Sequence, residues 1–249
     1  MKTTTSTRHF ARPERRLWGI LGGLGPLASA EFLKTIYEQS VAGEEQESPA
    51  VILVSDPAFP DRTAMLETNG HQELARLLAV NIRRLLSMEV TDIVICCVTL
   101  HAVLAYVPQE LRARIVSLLD LIFAAISSSN ERQLLVATNG SRSSCLYQNH
   151  PAWSKVCTQI ILPDAEDQSV LHRLIYDIKH NVLSSSHLHL LASMTDKYGV
   201  SSFIAGCTEI HILHRMLLRD PLRAKLRCID PLHILAERIS NHVCIEMSA

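Results

Sequence analysis

Short apolar runs rich in β-branched residues, each followed by a longer stretch with helical spacing, constrain this chain more than any other feature. The runs fall at 17–21, 51–55, 92–96, 134–138, 159–162, 202–206 and 227–230. Between them, 27–40, 70–88 and 169–181 place apolar residues at three- and four-residue intervals. Strands that alternate with helices are connected by crossovers and pair in parallel, so the pattern predicts an α/β class with helices on both faces of parallel sheets.

The 249 residues are enough to bury a sizeable core, and 47% apolar against 20% charged residues excludes a disordered or low-complexity chain. Lys plus Arg number 24 and Asp plus Glu 25, so no general field attracts nucleic acid or anionic lipid. No apolar run reaches the roughly 18 residues a spanning helix needs. The first 16 residues, polar and basic, lack the apolar centre of a secretory signal and are expected to form a flexible tail on a cytoplasmic protein. The 7 cysteines include no Cys-x-x-Cys pair, which disfavours a zinc ribbon or a thioredoxin-type motif; in a reducing compartment they are expected as thiols.

The polar segment 126–132 (ISSSNER) precedes a fresh strand and sets a boundary near 118–132. The expected division is an N-terminal lobe at 17–125 and a C-terminal lobe at 126–230. An amphipathic helix at 231–249 returns to complete the first lobe. The two halves echo each other: a strand ending in Cys97-Val98-Thr99 precedes the break, and one ending in Gly206-Cys207-Thr208 follows it. Ligands bind at the carboxyl edge of open parallel sheets, so both cysteines are expected at one cleft between the lobes.

Several groups compete for attention there. GGLGPLAS at 22–29 follows the first strand and opens a helix. It formally fits a dinucleotide fingerprint, with Asp56 as a ribose acceptor, but Pro26 removes a donor and Asp56 lies beyond the usual spacing. A tight turn and a small carboxylate site are the other readings. Arg62, in the proline-fixed stretch 56–63 (DPAFPDRT), is a bidentate partner for a carboxylate or simply a solvated side chain. The closest histidine pairs, His187 with His189 and His211 with His214, lack the His-Glu-x-x-His arrangement, and no metal is expected. His101 follows Cys97 by four residues and is expected one helical turn from it, near the thiol or bonded to a backbone carbonyl. Cys96 is expected on the opposite face of its strand, in the core.

A lone cysteine after a buried strand is usually an inert small hydrophobe. Two of them followed by helical stretches have a mechanistic meaning, because helix N-terminal donors stabilise a thiolate. One thiolate removes a proton from a carbon acid and the opposed thiol delivers one to the other face, inverting a stereocentre. The hydroxyls of Thr99 and Thr208 are placed to hold a carboxylate between the sulfurs.

The motifs GGLGPLAS, PDRT, CVTLH, the stretch 138–147, IYDIK, GCTEI and IDP occur in an order that resembles the aspartate/glutamate racemase superfamily, and within it the cofactor-independent aspartate racemase branch. The resemblance spans 18–237. It implies two Rossmann-like lobes with pseudo-twofold symmetry, an interlobe active site, a small amino-acid substrate, no cofactor and a homodimer. Carried over by position, Cys97 and Cys207 are the acid/base thiols. Gly25, Arg62, Thr99, Thr138, Lys179 and Thr208 lie at the substrate, with Arg62 and Lys179 as charge partners of a side-chain carboxylate, and His101 and Glu209 lie behind the thiols. Val98 departs from the family's usual asparagine, Asn181 from a glycine and Pro231 from a Ser or Thr, which bear on specificity. The other function classes to weigh are an isomerase, epimerase or decarboxylase of a different carboxylate, and a catalytically silent carboxylate-binding relative.

Overall fold

The computed structural model describes residues 16–40 and 44–247. The expected tail at 1–16 therefore lies, apart from Arg16, outside the described residues, as do the last two positions of the expected final helix. In chain order the first half contains β1 (Leu17–Gly22), α1 (Pro26–Gln39), β2 (Ala50–Ser55), α2 (Arg62–Glu67), α3 (His71–Leu86) and β3 (Asp92–Ile95). A 3-10 helix (Thr99–Tyr106), α4 (Gln109–Arg112), β4 (Ile115–Val116) and α5 (Leu118–Ser127) complete it. The second half contains β5 (Gln133–Val136), α6 (Asn139–Ser143), α7 (Trp153–Val156), β6 (Ile160–Ile161), α8 (Ala165–Lys179) and α9 (Ser185–Lys197). It ends with β7 (Ser202–Ala205), α10 (Glu209–Leu217), β8 (Arg227–Ile229) and α11 (Pro231–Met247).

Among the described residues these strands make two four-stranded parallel sheets, in the orders β2-β1-β3-β4 and β6-β5-β7-β8. The second order repeats the first, so β3 and β7 hold equivalent places and each is followed at the same distance by a cysteine. Side chains alternate across β3: Ile93, Ile95 and Cys97 pack in one apolar cluster, while Val94, Cys96 and Val98 pack in another. The cluster holding Cys96 is central. It takes Trp18, Ile20 and Phe32 from the first half and Leu135, Tyr147 and Ile204 from the second, with α5 and α11 contributing Phe123 and Leu235. Burial of this shared cluster joins the two sheets.

Several elements differ from the sequence expectations. The strands before the cysteines stop early, at Ile95 rather than 96 and at Ala205 rather than 206, because tight backbone bonds from Cys97 N to Ile95 O (2.7 Å) and from Gly206 N to Ile204 O (2.8 Å) turn the chain out of each sheet. Strand β5 ends at Val136 rather than 138, since Thr138 leaves the sheet to cap α6 through Ser141 N. Helix α8 begins at Ala165, four residues before the expected 169, capped by Asp164 and carrying Glu166 and Asp167 in a first turn whose polarity hid it. The segment after Cys97 is a 3-10 helix rather than an α-helix, so the expectation of α-helical donors behind both thiols holds only for Cys207. Strand β4, two residues long, gave no detectable period.

Helix α11 packs on α1 and α5, and Asp230 fixes its start. Its Oδ1 accepts from Leu232 N (3.0 Å) and His233 N (3.3 Å), and its Oδ2 accepts from His211 Nδ1 (2.6 Å) and His214 Nδ1 (2.8 Å). The Nδ1 atoms of His211 and His214, one of the two histidine pairs considered for a metal, are thus engaged with this carboxylate. Burial alone would raise the Asp230 pKa, but His211 and His214 hold it well below the usual carboxylate range. Breaking a buried pair of this kind costs about 3–5 kcal/mol. We therefore expect Asp230→Ala to lower stability by that amount in urea unfolding, and an unchanged midpoint would contradict the role assigned to this carboxylate.

Candidate active site

Cys97 is 5% exposed and Cys207 2%; Cys97 packs in an apolar cluster of the first half and Cys207 in one of the second, and Arg62 lies in the field of both. Around them the segments that follow β2, β3, β5 and β7 deliver polar side chains that would be costly to bury without partners. Thr99 Oγ1 lies 3.1 Å from Thr138 Oγ1 and 3.0 Å from Ser141 Oγ, and the last two are 3.2 Å apart. This hydroxyl triad spans the junction, with Thr99 from the first half and the others from the second. Thr208 Oγ1 instead donates to Cys96 O (3.3 Å), so it ties the halves together beside the triad rather than joining it.

Two cations lie here, Arg62 buried and Lys179 half-buried. Arg62 donates to Pro60 O (3.1 Å) and to Leu24 O, which anchors its guanidinium under the glycine-rich turn. Burial would lower the Arg62 pKa, yet Cys97, Asp61, Glu209 and Cys207 raise it above its ordinary value. Lys179 Nζ lies 4.0 Å from Asp61 Oδ2 and 4.1 Å from the centre of the Tyr176 ring. Burial opposes its charge, and Cys207, Glu209 and Tyr176 outweigh that and raise its pKa. Arg62 thus senses both thiols, and Cys97 and Cys207 are close enough that charge on Cys97 raises the Cys207 pKa.

Glu209 makes the two thiol environments unequal. Cys207 Sγ donates to Glu209 Oε2 at 2.7 Å, whereas Glu209 Oε1 is buried with no hydrogen-bond partner. Gly25 makes room for that oxygen, because a Cβ there would collide with Oε1. Burial pushes the Cys207 thiol well above its ordinary pKa; Glu209 raises it further and Lys179 opposes the rise. Cys207 is accordingly held as a thiol.

His101 does not reach the site with its ring. Its Nε2 accepts from Leu118 N (3.2 Å), a group that can only donate, so the proton sits on Nδ1 and is donated to Cys97 O (3.1 Å). Val98 is fully buried in the central cluster. Asp56 Oδ1 accepts from Ala58 N in a local turn. The backbone of Asp56 packs on Gly23, whose φ of 82° suits glycine and makes this segment a tight turn.

The sequence reading missed four groups. Ser141 is three residues from Thr138 and bonded to it through its backbone N–H (3.2 Å), which a capping pattern signals. Tyr176 is three residues before Lys179 on the same helix face, and its hydroxyl donates to Asp61 Oδ2 (2.8 Å) across the halves. Asp61 precedes Arg62 and caps α2 through Ala64 N (2.9 Å). Tyr147 donates to Gly206 O (3.0 Å), and nothing in its spacing announced this.

Residues 21–239 match the model of a protein family described as Asp/Glu/hydantoin racemase. Among solved structures, the fold is similar to Picrophilus torridus aspartate racemase at 21% identity and a TM-score of 0.77, covering 92% of this chain and 94% of that one. An aspartate racemase homologue from Pyrococcus horikoshii aligns at 18% identity and a TM-score of 0.65, covering 92% and 99%. Glutamate racemase from Campylobacter jejuni aligns at 19% identity and a TM-score of 0.60, covering 91% and 85%. At these identities the structural likeness speaks for the fold.

Burial pushes the His101 pKa down from 6.5 to about 4, so the folded protein keeps this ring neutral where the unfolded chain protonates it. Its contribution to stability is complete above pH 6.5 and is lost as pH falls from there towards 4. The loss is on the order of 3 kcal/mol. Unfolding free energies at pH 7 and pH 4.5 are expected to differ more in the wild type than in His101→Gln, and equal differences would contradict the assignment.

Proposed function

Since the chain belongs to the Asp/Glu/hydantoin racemase family, whose members are isomerases, we propose that it racemises an acidic amino acid, aspartate or a close relative, with Cys97 and Cys207 as opposed acid and base. The observation that carries the reading is the placement of two buried thiols after equivalent strands, both within the field of one buried arginine.

In this reading the lobes 17–125, completed by α11, and 126–230 close on the substrate. Cys97 as thiolate removes the α-proton, forming its S–H bond as the C–H bond breaks. Cys207 then delivers its own proton to the opposite face of the carbanion. The turnover leaves Cys97 protonated and Cys207 ionised, and reaction of the other enantiomer reverses both. Glu209 serves the unequal pair: its Oε2 accepts the hydrogen bond of Cys207 Sγ and so favours the protonated form from which Cys207 delivers its proton. The unpartnered Oε1 suits a substrate ammonium. The hydroxyls of Thr99, Thr138 and Ser141 supply donors to the α-carboxylate, on which the carbanion's charge is spread.

Arg62 and Lys179 give the specificity for a second carboxylate. Arg62 is buried and Lys179 half-buried, each on a helix, so their charges act where water screens them little and an anionic side chain gains most. The reading requires no group beyond the chain's own side chains, and includes a homodimer in a cytosolic setting. With both thiols nearly sealed from solvent, substrate enters only when the junction opens.

Two measurements test it. Incubation of L- or D-aspartate in heavy water is expected to bring loss of optical rotation with deuterium at the α carbon, and Cys97→Ala and Cys207→Ala are each expected to reduce racemisation by about 10²–10⁴-fold. Racemisation that survives either substitution would overturn the two-thiol mechanism. Lys179→Met is expected to raise KM for aspartate about 10- to 100-fold, the equivalent of one lost charged hydrogen bond, while alanine is affected little. Equal effects on both amino acids would remove Lys179 from the side-chain carboxylate.

A further inference from the structure

Two buried hydrogen bonds that the chemistry above does not use end on the backbone next to the two thiols. His101 Nδ1 donates to Cys97 O (3.1 Å), and Tyr147 Oη donates to Gly206 O (3.0 Å). His101 is 6% exposed and Tyr147 1%, so neither group is available to solvent or to a substrate. A peptide unit is planar, and fixing its carbonyl fixes the orientation of the whole plane. The Gly206 carbonyl shares its plane with the N–H of Cys207, so Tyr147 sets the axis on the amino side of the Cys207 α carbon. The Cys97 carbonyl lies on the carboxyl side of its own α carbon, so His101 sets the other axis there.

Both bonds lead back to one element. His101 Nε2 accepts from Leu118 N at the start of α5, and the Tyr147 ring packs on Phe123 of α5, with centroids 6.5 Å apart and planes at 37°. Phe123 in turn stacks on His150 at 3.9 Å, and His150 Nε2 reaches back to Asp120 of α5 at 2.9 Å. Helix α5 is the segment that carries the chain from the first sheet to the second. Gly206 fits the same arrangement: a Cβ there would stand 2.6 Å from the Tyr147 oxygen, so only glycine lets the hydroxyl approach.

We propose that the interlobe helix α5 aligns the two thiols with each other through two positioning residues, His101 acting on Cys97 and Tyr147 acting on Cys207. The proposal rests on the two-thiol reading of the site. Each residue serves one sulfur, so losing either slows one of the two proton transfers. Misplacement of a reacting group by about 1 Å costs on the order of 10²-fold in rate, and the loss here is expected at about 10- to 100-fold in kcat with KM little changed.

The test is the primary kinetic isotope effect with α-deuterated substrate, measured separately for the two enantiomers. In Tyr147→Phe the step at Cys207 becomes slower. The effect on kcat/KM should rise for the enantiomer whose proton Cys207 removes and fall towards unity for the other, whose own deuterium is removed by Cys97. His101→Leu should give the opposite split, and His101→Gln, which restores a donor to Cys97 O, should recover part of the rate. A change that is equal for both enantiomers, or an unchanged rate, overturns the proposal, because a general loosening of the fold does not discriminate between faces. If Tyr147→Phe does not fold, the His101 pair carries the test alone. Cys97→Ala and Cys207→Ala run in parallel separate the two levels: activity in either removes the two-thiol reading, whereas two inactive cysteine variants without a split remove only the positioning role.

Discussion

Glu209 is a carboxylate buried beside a buried thiol, and the arrangement of the whole junction follows from making that tolerable. Moving an ion out of water costs several kcal/mol even after the protein relaxes. Arg62 from the first half and Lys179 from the second supply the compensating charge, and each keeps its proton because acidic groups face it. Asp61, bonded to Tyr176 and near Lys179, extends the same network across the junction. A site with two cations, one internal carboxylate and two thiols suits a guest that brings one ammonium and two carboxylates.

The two halves repeat a strand order but not a chemistry. Arg62 faces both thiols, but after β3 the chain enters a 3-10 helix, whereas after β7 it enters α10, whose first residue, Glu209, accepts from Cys207 Sγ. Identical thiols after equivalent strands are thereby placed in different fields. That difference is what a reaction with one base and one acid requires, since two thiols in equal surroundings would have no reason to differ in protonation.

Much of this was legible in the sequence. The alternation of β-branched runs and helical stretches predicted the parallel sheets, and the two cysteine motifs predicted equivalent positions, because period-two and period-3.6 patterns are local and survive without knowledge of packing. Strand ends were overrun by a residue or two, since Cys96, Gly206 and Thr138 are as compatible with a strand as with the turn that tertiary hydrogen bonds impose on them. Thr208 has the residue type for a carboxylate site, yet its hydroxyl is taken by Cys96 O, a partner 112 positions away. Tyr147 and the bond from Tyr176 to Asp61 were invisible for the same reason: nothing near them in the chain reports which carbonyl or carboxylate folding will bring within reach. Glu209 was expected behind a thiol, but its one bonded and one unpartnered oxygen emerged only from the packing against Gly25.

The central claim is that the sulfurs of Cys97 and Cys207 bracket one carbon atom. A structure of the protein with an acidic amino acid bound measures this most directly. The account predicts the α carbon between the two sulfurs, each about 3–3.5 Å away on opposite faces, with the side-chain carboxylate on Arg62 and Lys179. An α carbon with both sulfurs on one side, or with either one out of reach of its hydrogen, would contradict it.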